Sequence, residues 1–347
     1  MTGVKCTDKQ RKGTYRQRRK RLIRSMRRLL VVLCLIAAAI FIKKYILVDK
    51  HLALDYETEH YNTSYYRGKT FAADLCVADG DISIENGPST SALKSAGLFD
   101  VNEAETEFAY NIHEKLYPAS TTKIMTALVA IKNADLSDVV TVGKNADSDN
   151  FAADEATVGI HEGDQITLND LLYGLLLYSG NDTAVAIAEH VGGSVDAFAD
   201  MMNDQAAQLM ATKTHFVNPH GLFNEDHYTT AYDLYLIFNE CIKYEDFVNI
   251  IQTSKYTAEI TGADGSKRKI ELEPTNYYAI GETTLPEKAT VIGGKTGTLI
   301  AAGNFLILLD ETENGDWYIS VVMGADTKEI LYRDMTALIN AIPEDNT

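Results

Sequence analysis

Three Ser-x-x-Lys pairs occur in this chain: Ser91–Lys94, Ser120–Lys123 and Ser266–Lys269. A serine becomes a strong nucleophile when a neighbouring base takes its proton, and a lysine can be that base once burial keeps its amine neutral. Residues three apart on a helix share a face, so the spacing suits that task. Only Ser120–Lys123 opens a segment able to bury the amine. Pro118-Ala119-Ser120-Thr121-Thr122 begins it, and Ile124, Met125, Leu128, Val129 and Ile131 follow at helical spacing. The Ser120 hydroxyl then sits near a helix N-terminus, where backbone N–H groups lack partners. Ser91 lies in a polar stretch and Ser266 in the turn of an expected hairpin, where a lysine stays in water.

Two further patterns could complete such a site. Ser-x-Asn occurs as Ser148-Asp149-Asn150, in a charged stretch that reads as a solvated turn, and as Ser179-Gly180-Asn181, between two apolar helical runs. A loop held between packed helices places a hydroxyl and an amide rigidly, which favours Ser179 and Asn181. Late in the chain, Gly293-Gly294-Lys295-Thr296-Gly297-Thr298 opens an apolar strand pattern. Glycines in a strand mark close approach of another backbone or a ligand. The cation and hydroxyls beside them suit a substrate carboxylate. Beyond the N-terminal region the only arginines are Arg67, Arg268 and Arg333, none in a motif, so Lys295 is the best anion anchor available.

The elements that must position these residues follow from pattern. Strands are expected at 70–77 and 106–111, with 85–104 as a surface excursion between them. Helices are expected from Ser120 onward, over 168–178 behind a Thr167/Asp170 capping pair, over 182–191, 194–210 and 229–242. A hairpin at 255–272 turns around Asp264-Gly265. Strands near 291–292, 304–309 and 317–323 and a closing helix at 329–342 complete the order. The expectation is an α+β fold: an antiparallel sheet built from both chain ends, flanked by helices, with an inserted all-helical subdomain.

Charge divides the chain sharply. Residues 1–50 hold 15 Lys/Arg against 2 Asp/Glu, yet the whole chain carries a net charge of -17. The acidic remainder argues against nucleic acid as a partner. The basic block adjoins an apolar run at 29–42, which resumes after Lys43-Lys44, and so reads as a membrane signal. The expected organisation is a basic cytoplasmic tail at 1–28, a transmembrane signal-anchor at 29–48, a linker at 49–69 and a catalytic domain at 70–343. That places the N-terminus inside and the domain that follows outside the membrane. Cleavage near Ala37-Ala38-Ala39, which would secrete the domain, is the alternative. Cys76 and Cys241 leave a single long-range disulfide open. His215, His220 and His227 with Asp226 do not match His-Glu-x-x-His spacing and read as loop packing, not a metal site.

Ser-x-x-Lys, Ser-x-Asn and Lys-Thr-Gly in this order are the motif set of penicillin-binding proteins and class A β-lactamases. Over roughly residues 70–342 the chain resembles the serine D-alanyl-D-alanine carboxypeptidases, the low-molecular-mass penicillin-binding proteins. The resemblance rests on Pro118-Ala119-Ser120-Thr121-Thr122-Lys123-Ile124-Met125-Thr126-Ala127, Ser179-Gly180-Asn181-Asp182, Thr214-His215-Phe216-Val217-Asn218-Pro219-His220-Gly221-Leu222 and Gly294-Lys295-Thr296-Gly297-Thr298. It implies a β-lactamase/DD-peptidase-like fold and acyl transfer without cofactor or metal. Ser120 is then the nucleophile, Lys123 its base, Ser179 the proton relay and Asn181 the residue that orients the substrate amide. Lys295, Thr296, Gly297 and Thr298 hold the substrate's terminal carboxylate, and backbone N–H groups of Ser120 and Thr298 form the oxyanion hole. The implied partners are a peptidoglycan stem peptide and β-lactam antibiotics.

Some features depart from the family pattern. Residues 85–104 lengthen the first hairpin, and Glu273-Pro274-Thr275-Asn276 matches only partly. The chain ends soon after the closing helix, so a C-terminal β-domain is not expected and anchoring is expected to fall to the N-terminal segment. Rival readings are a DD-endopeptidase that cuts cross-links, a β-lactamase and an inactive wall-binding homologue. No motif supplies the deacylating glutamate of a β-lactamase, and the intact Ser120, Lys123, Ser179, Asn181 and Lys295 argue against an inactive protein.

Overall fold

The computed structural model describes residues 74–300 and 302–344, together with part of the stretch between 20 and 35. The chain divides into two units, Met1–Phe71 and Ala72–Thr347. In the first, the described residues are helical and exposed, and no helix among the described residues is long and apolar enough to cross a membrane. The expected tail, anchor and linker fall almost wholly outside the described residues.

The second unit is organised by a five-stranded antiparallel sheet. Its strands are β1 (Ser95–Asp100), β2 (Glu105–Tyr110), β7 (Ala289–Leu299), β8 (Gly303–Thr312) and β9 (Trp317–Ala325), in the order β2-β1-β9-β8-β7. Side chains alternate across a strand, and both faces of the central strands are covered. Phe305, Ile307 and Leu309 of β8 join one apolar cluster with Ile124, Leu128 and Phe238. Leu306 and Leu308 of the same strand join another with Met335, Leu338 and Ile339 of the closing helix. The first cluster surrounds α1 (Lys123–Asn133), which is buried all round from Lys123 to Ala130. A helix apolar on every side belongs in a core, and here that property fixes the position of Lys123.

The remaining helices are α2 (Leu168–Tyr173), α3 (Asn181–Gly192), α4 (Val195–Gln208), α5 (Ala231–Cys241), α6 (Glu245–Ile251), the single turn α7 (Tyr277–Ile280) and α8 (Lys328–Asn340). Thr167 caps α2 by accepting from Asp170 N, as its spacing predicts. Thr230 and Thr327 cap α5 and α8 in the same way.

Several expectations are corrected. The inserted subdomain is not all-helical. It carries a second antiparallel sheet, β3-β4-β5-β6, formed by β3 (Val139–Thr141), β4 (Gln165–Thr167), β5 (Tyr256–Thr261) and β6 (Lys267–Leu272). The run at 139–142 reads as a strand-like piece, but the three residues of β4 hold too little alternation to be read from sequence. Of the expected strand at 70–77, residues 74–77 lie outside any strand and 70–73 lie outside the described residues. The stretch 85–104, expected as an excursion, contains β1, which is buried along its whole length between β2 and β9. Small residues obscure it. Gly97 is required because a Cβ there would meet the Phe99 ring at 2.6 Å, and that ring stacks on Tyr235 at 4.1 Å. Cys76 and Cys241 are buried and free, so the disulfide is not formed. Burial pushes the Cys76 thiol up to about 12.

Candidate active site

The Ser120 turn is short and strained. Ala119–Thr122 form a 3-10 turn before α1, and Ala119 takes a φ of +51°, which a Cβ disfavours. Two contacts hold it. Thr121 Oγ1 donates to Pro118 O at 2.7 Å. Gly221 packs so closely that a Cβ on it would lie 1.8 Å from Ala119 O. Thr122 is fixed from the same loop by His227. The ring accepts from Val217 N through Nδ1, so Nε2 carries the proton and donates to Thr122 Oγ1 at 2.8 Å. Burial holds this histidine neutral, down to about 4.

Lys123 sits beneath Ser120 with no exposed surface. Its Nζ lies 3.2 Å from Ser120 Oγ and donates to Asn181 Oδ1 at 2.8 Å and His220 O at 2.9 Å. Burial lowers its amine well below the ordinary lysine range, and the Lys295 cation lowers it further, with Asp182 opposing. A neutral amine has two hydrogens and one lone pair. The two hydrogens satisfy Asn181 and His220, which leaves the lone pair for the Ser120 proton.

Ser179 closes the site from the other side. A π-type turn, Gly174–Tyr178, follows α2, and Ser179 ends it in the left-handed region at φ +72°. Its hydroxyl accepts from Lys295 Nζ at 3.0 Å. Lys295 is 1% exposed, also donates to Thr296 O at 3.0 Å, and is lowered by burial to about 7. Lys295 lies on β7, the edge strand nearest the Ser120 turn. Its glycines answer the expectation of close approach. A Cβ on Gly293 would meet Ile251 O at 2.1 Å, and one on Gly297 would press on Pro118 O and on Ala119, each at 3.3 Å. Thr296 and Thr298 alternate to the open side, and Thr298 Oγ1 donates to Asn304 Oδ1 at 3.3 Å.

The three motif segments therefore converge on one cleft of about 690 Å³, lined by Ser120, Ser179, Asn181, Thr296, Gly297 and Thr298, with Lys123 and Lys295 buried behind Ser120 and Ser179. The other serine candidates stay out of it. Ser91 pairs with Ser89 on the surface, and Ser266 sits in the β5–β6 turn, where its N–H donates to Asp264 Oδ1. Sequence reasoning missed four contributors. Thr275 hydrogen-bonds to Thr296, and Lys328 lines the cleft at the start of α8. His227 orients Thr122. Asp182, buried after Asn181, accepts from Val158 N, Gly159 N and Ser148 Oγ and so ties a distant loop to the site. Only Asp182 had a sequence signal, its place beside Ser179-Gly180-Asn181.

Comparison with known proteins agrees with this geometry. Residues 83–327 match the family described as D-alanyl-D-alanine carboxypeptidase. The chain is 33% identical over 256 residues to the D-alanyl-D-alanine carboxypeptidase DacA of Haemophilus influenzae, covering 72% of this chain and 62% of that protein. It is 34% identical over 184 residues to DacF of Bacillus subtilis, covering 52% and 47%. The matched stretch thus spans only about half to three fifths of these relatives. Among solved structures, the Streptomyces K15 DD-transpeptidase superposes with a TM-score of 0.67 at 29% identity, over 73% of this chain and 98% of that one. Penicillin binding protein 5 from Haemophilus influenzae superposes with a TM-score of 0.64 at 29% identity, over 73% and 71%. The α+β core, the motif order and these similarities agree: the chain belongs to the D-alanyl-D-alanine carboxypeptidase family.

Proposed function

We propose that the protein is a serine-type D-Ala-D-Ala carboxypeptidase that removes the terminal D-alanine from peptidoglycan stem pentapeptides through an acyl-enzyme on Ser120. One observation carries the reading: a fully buried Lys123 amine, lowered by burial, 3.2 Å from the Ser120 hydroxyl. The terminal carboxylate lies against Lys295, Thr296 and Thr298. Lys123 takes the Ser120 proton as Oγ attacks the carbonyl carbon of the penultimate D-alanine. The developing oxyanion is held by the backbone N–H groups of Ser120 and Thr298. Ser179 passes a proton to the leaving amine, the C–N bond breaks, and D-alanine departs. Asn181 keeps the substrate amide and Lys123 in register. Water then attacks the ester and frees Ser120.

A β-lactam presents an amide and a carboxylate in the same relation and acylates Ser120, but its leaving group stays tethered and deacylation is slow. The basic residues of 1–28 and the apolar stretch 29–48 support attachment to the cell membrane by an N-terminal anchor, with the catalytic domain outside. Full-length protein is expected to release D-alanine from a pentapeptide and to be labelled by fluorescent penicillin. Labelling of Ser120→Ala equal to wild type rules out Ser120 as the nucleophile. Product analysis on a cross-linked dimer separates this activity from an endopeptidase. Release of the full chain from membranes by a high-salt wash removes the anchor from the proposal.

A further inference from the structure

The turn that carries Ser120 is braced by one segment, residues 217–227. Thr126 Oγ1 donates to Pro219 O at 2.6 Å, and Lys123 Nζ donates to His220 O at 2.9 Å. Gly221 packs against Ala119 O with no room for a Cβ, and His227 Nε2 donates to Thr122 Oγ1 at 2.8 Å. A turn strained at Ala119 persists only where its surroundings over-determine it, and the brace reaches residues on both sides of Ser120.

The brace is itself closed by one ring. Asn218 shapes its inner turn, accepting from Gly221 N at 2.7 Å and donating to Leu222 O at 3.0 Å. At its base His215 and Tyr228 exchange two backbone hydrogen bonds, at 2.8 and 3.0 Å. Just inside that base Val217 N donates to His227 Nδ1 at 3.1 Å, and Phe216 meets the same ring edge-on at 5.5 Å. A neutral imidazole has one acceptor and one donor. Here the acceptor ties the two ends of the brace together, and the donor ties them to Thr122. His227 is 2% exposed and Thr122 1%, so water has no access to replace either bond.

We propose that His227 is a positioning residue for the acylation of Ser120: its hydrogen bond to Thr122 fixes the turn in the geometry that keeps Lys123 Nζ on the Ser120 hydroxyl. The inference rests on the reading of Ser120 as nucleophile and Lys123 as its base. His227 is not among the residues that line the cleft, so it acts through the turn and not on the substrate. Thr122 lies between Ser120 and Lys123 in the chain, and a rotation of its peptide carries Lys123 with it. The Lys123 Nζ to Ser120 Oγ distance of 3.2 Å is already at the long end of a hydrogen bond. A further small displacement takes the base out of reach of the proton, which is costly for a reaction that depends on alignment.

The two bonds of the ring are separable by substitution. Asparagine keeps an acceptor near the place of Nδ1 and gives up the donor to Thr122. Glutamine keeps an N–H near the place of Nε2 and gives up the acceptor for Val217 N. In full-length protein assayed for D-alanine release from a pentapeptide, His227→Asn is expected to lower kcat by about ten- to a hundredfold with KM little changed. Its acid limb is expected to move to higher pH, because a loosened Lys123 returns toward the ordinary lysine range. His227→Gln is expected to stay within about threefold of wild type with the limb in place. Equal kcat in the two variants reduces His227 to packing and overturns the proposal, and so does an unmoved acid limb in His227→Asn. Should His227→Asn fail to fold, Thr122 decides from the other end of the bond. Thr122→Val removes the acceptor and is expected to repeat the loss, Thr122→Ser keeps it and is expected to restore most of the rate, and equal rates overturn the proposal. Wild type that takes fluorescent penicillin on Ser120 yet releases no D-alanine overturns the carboxypeptidase reading alone, and the labelling rates of the same variants then decide the role of His227.

Discussion

Two Ser-x-Asn segments meet at one aspartate and do different work. Ser179-Gly180-Asn181 lies in the cleft. The Ser179 hydroxyl accepts from a buried lysine, so its own proton is free to point at a substrate. Ser148-Asp149-Asn150 lies outside it. The Ser148 hydroxyl donates toward Asp182 Oδ2 at 2.7 Å and Ile160 O at 2.8 Å, so its proton is held within the fold. The sign of the partner separates the two. A donor partner leaves the Ser179 proton free for the proposed relay, and an anionic acceptor holds the Ser148 proton as a clip. Asp182 joins the segments, because it follows Asn181 in sequence and gathers the loop that Ser148 begins.

The largest break in this comparison is Ser179→Ala. Loss of a proton relay predicts a fall in kcat/KM for D-alanine release of about a hundred- to ten-thousandfold, with little change in the unfolding midpoint. A loss below tenfold in steady-state assays returns Ser179 to a packing role. Next comes Asp182→Ala. It strands the N–H groups of Val158, Gly159 and Thr183, all within 3.0 Å of the carboxylate, and leaves the Ser148 hydroxyl only Ile160 O. Each stranded buried donor costs roughly 1–3 kcal/mol, and with partial rescue by water the total is about 3–5 kcal/mol. An unshifted denaturant midpoint shows that the clamp is not needed.

A pH profile sharpens the same contrast, because the lysine behind Ser179 titrates in the working range. Lys295 must be protonated to hold a carboxylate, and burial brings it down to about 7. Its contribution is therefore present below about pH 7 and lost above it. The kcat/KM of the free enzyme is expected to fall on the alkaline side by about tenfold per pH unit. Lys123 acts in the opposite sense. It must be neutral, so activity falls on the acid side as pH drops through its lowered value. In Lys295→Arg the guanidinium stays charged, and the alkaline limb moves out beyond the assay range. An unmoved limb assigns that titration to another group.

How much of this was legible depends on what each residue answers to. Ser120, Lys123, Ser179, Asn181 and Lys295 stood out because each motif sits on an element with strong local pattern. An apolar helix follows Ser120, a Thr/Asp cap precedes the run to Ser179, and glycines precede Lys295. The strand β1 was hidden because it opens on the small residues Ser95, Ala96 and Gly97, and Gly97 answers to the Phe99 ring, which the stack on Tyr235 holds in place, a demand with no periodicity. The β-branched run at 139–142 reads as a short strand-like piece and holds β3, whereas β4 was hidden by its length. His227 and Lys328 carry no local sign of their roles, since Thr122 and the cleft reach them only through the folded chain. Ser148 reads in the sequence as part of a solvated turn, whereas the structure places it outside the cleft lining with its hydroxyl held inside the fold. Its bond to Asp182 spans 34 residues of sequence, so its role as a clip could not be read there.

The smallest effect tests the division most directly. Ser148→Ala removes one proton that has two acceptors in reach, and leaves Asp182 still bonded to the loop N–H groups of Val158 and Gly159. One net hydrogen bond to a charged group predicts a loss of about 1.5–3 kcal/mol in unfolding free energy. D-alanine release is expected to change by less than about threefold, since the hydroxyl touches neither Lys123 nor Lys295 and less than about 0.7 kcal/mol of transition-state stabilisation is at stake. Urea melts and steady-state kinetics on the same preparation measure both. If Ser148→Ala slows turnover as severely as Ser179→Ala while the midpoint stays put, the partner's sign does not separate relay from clip. Ser148 then acts on the chemistry through Asp182, and the two segments form one catalytic unit.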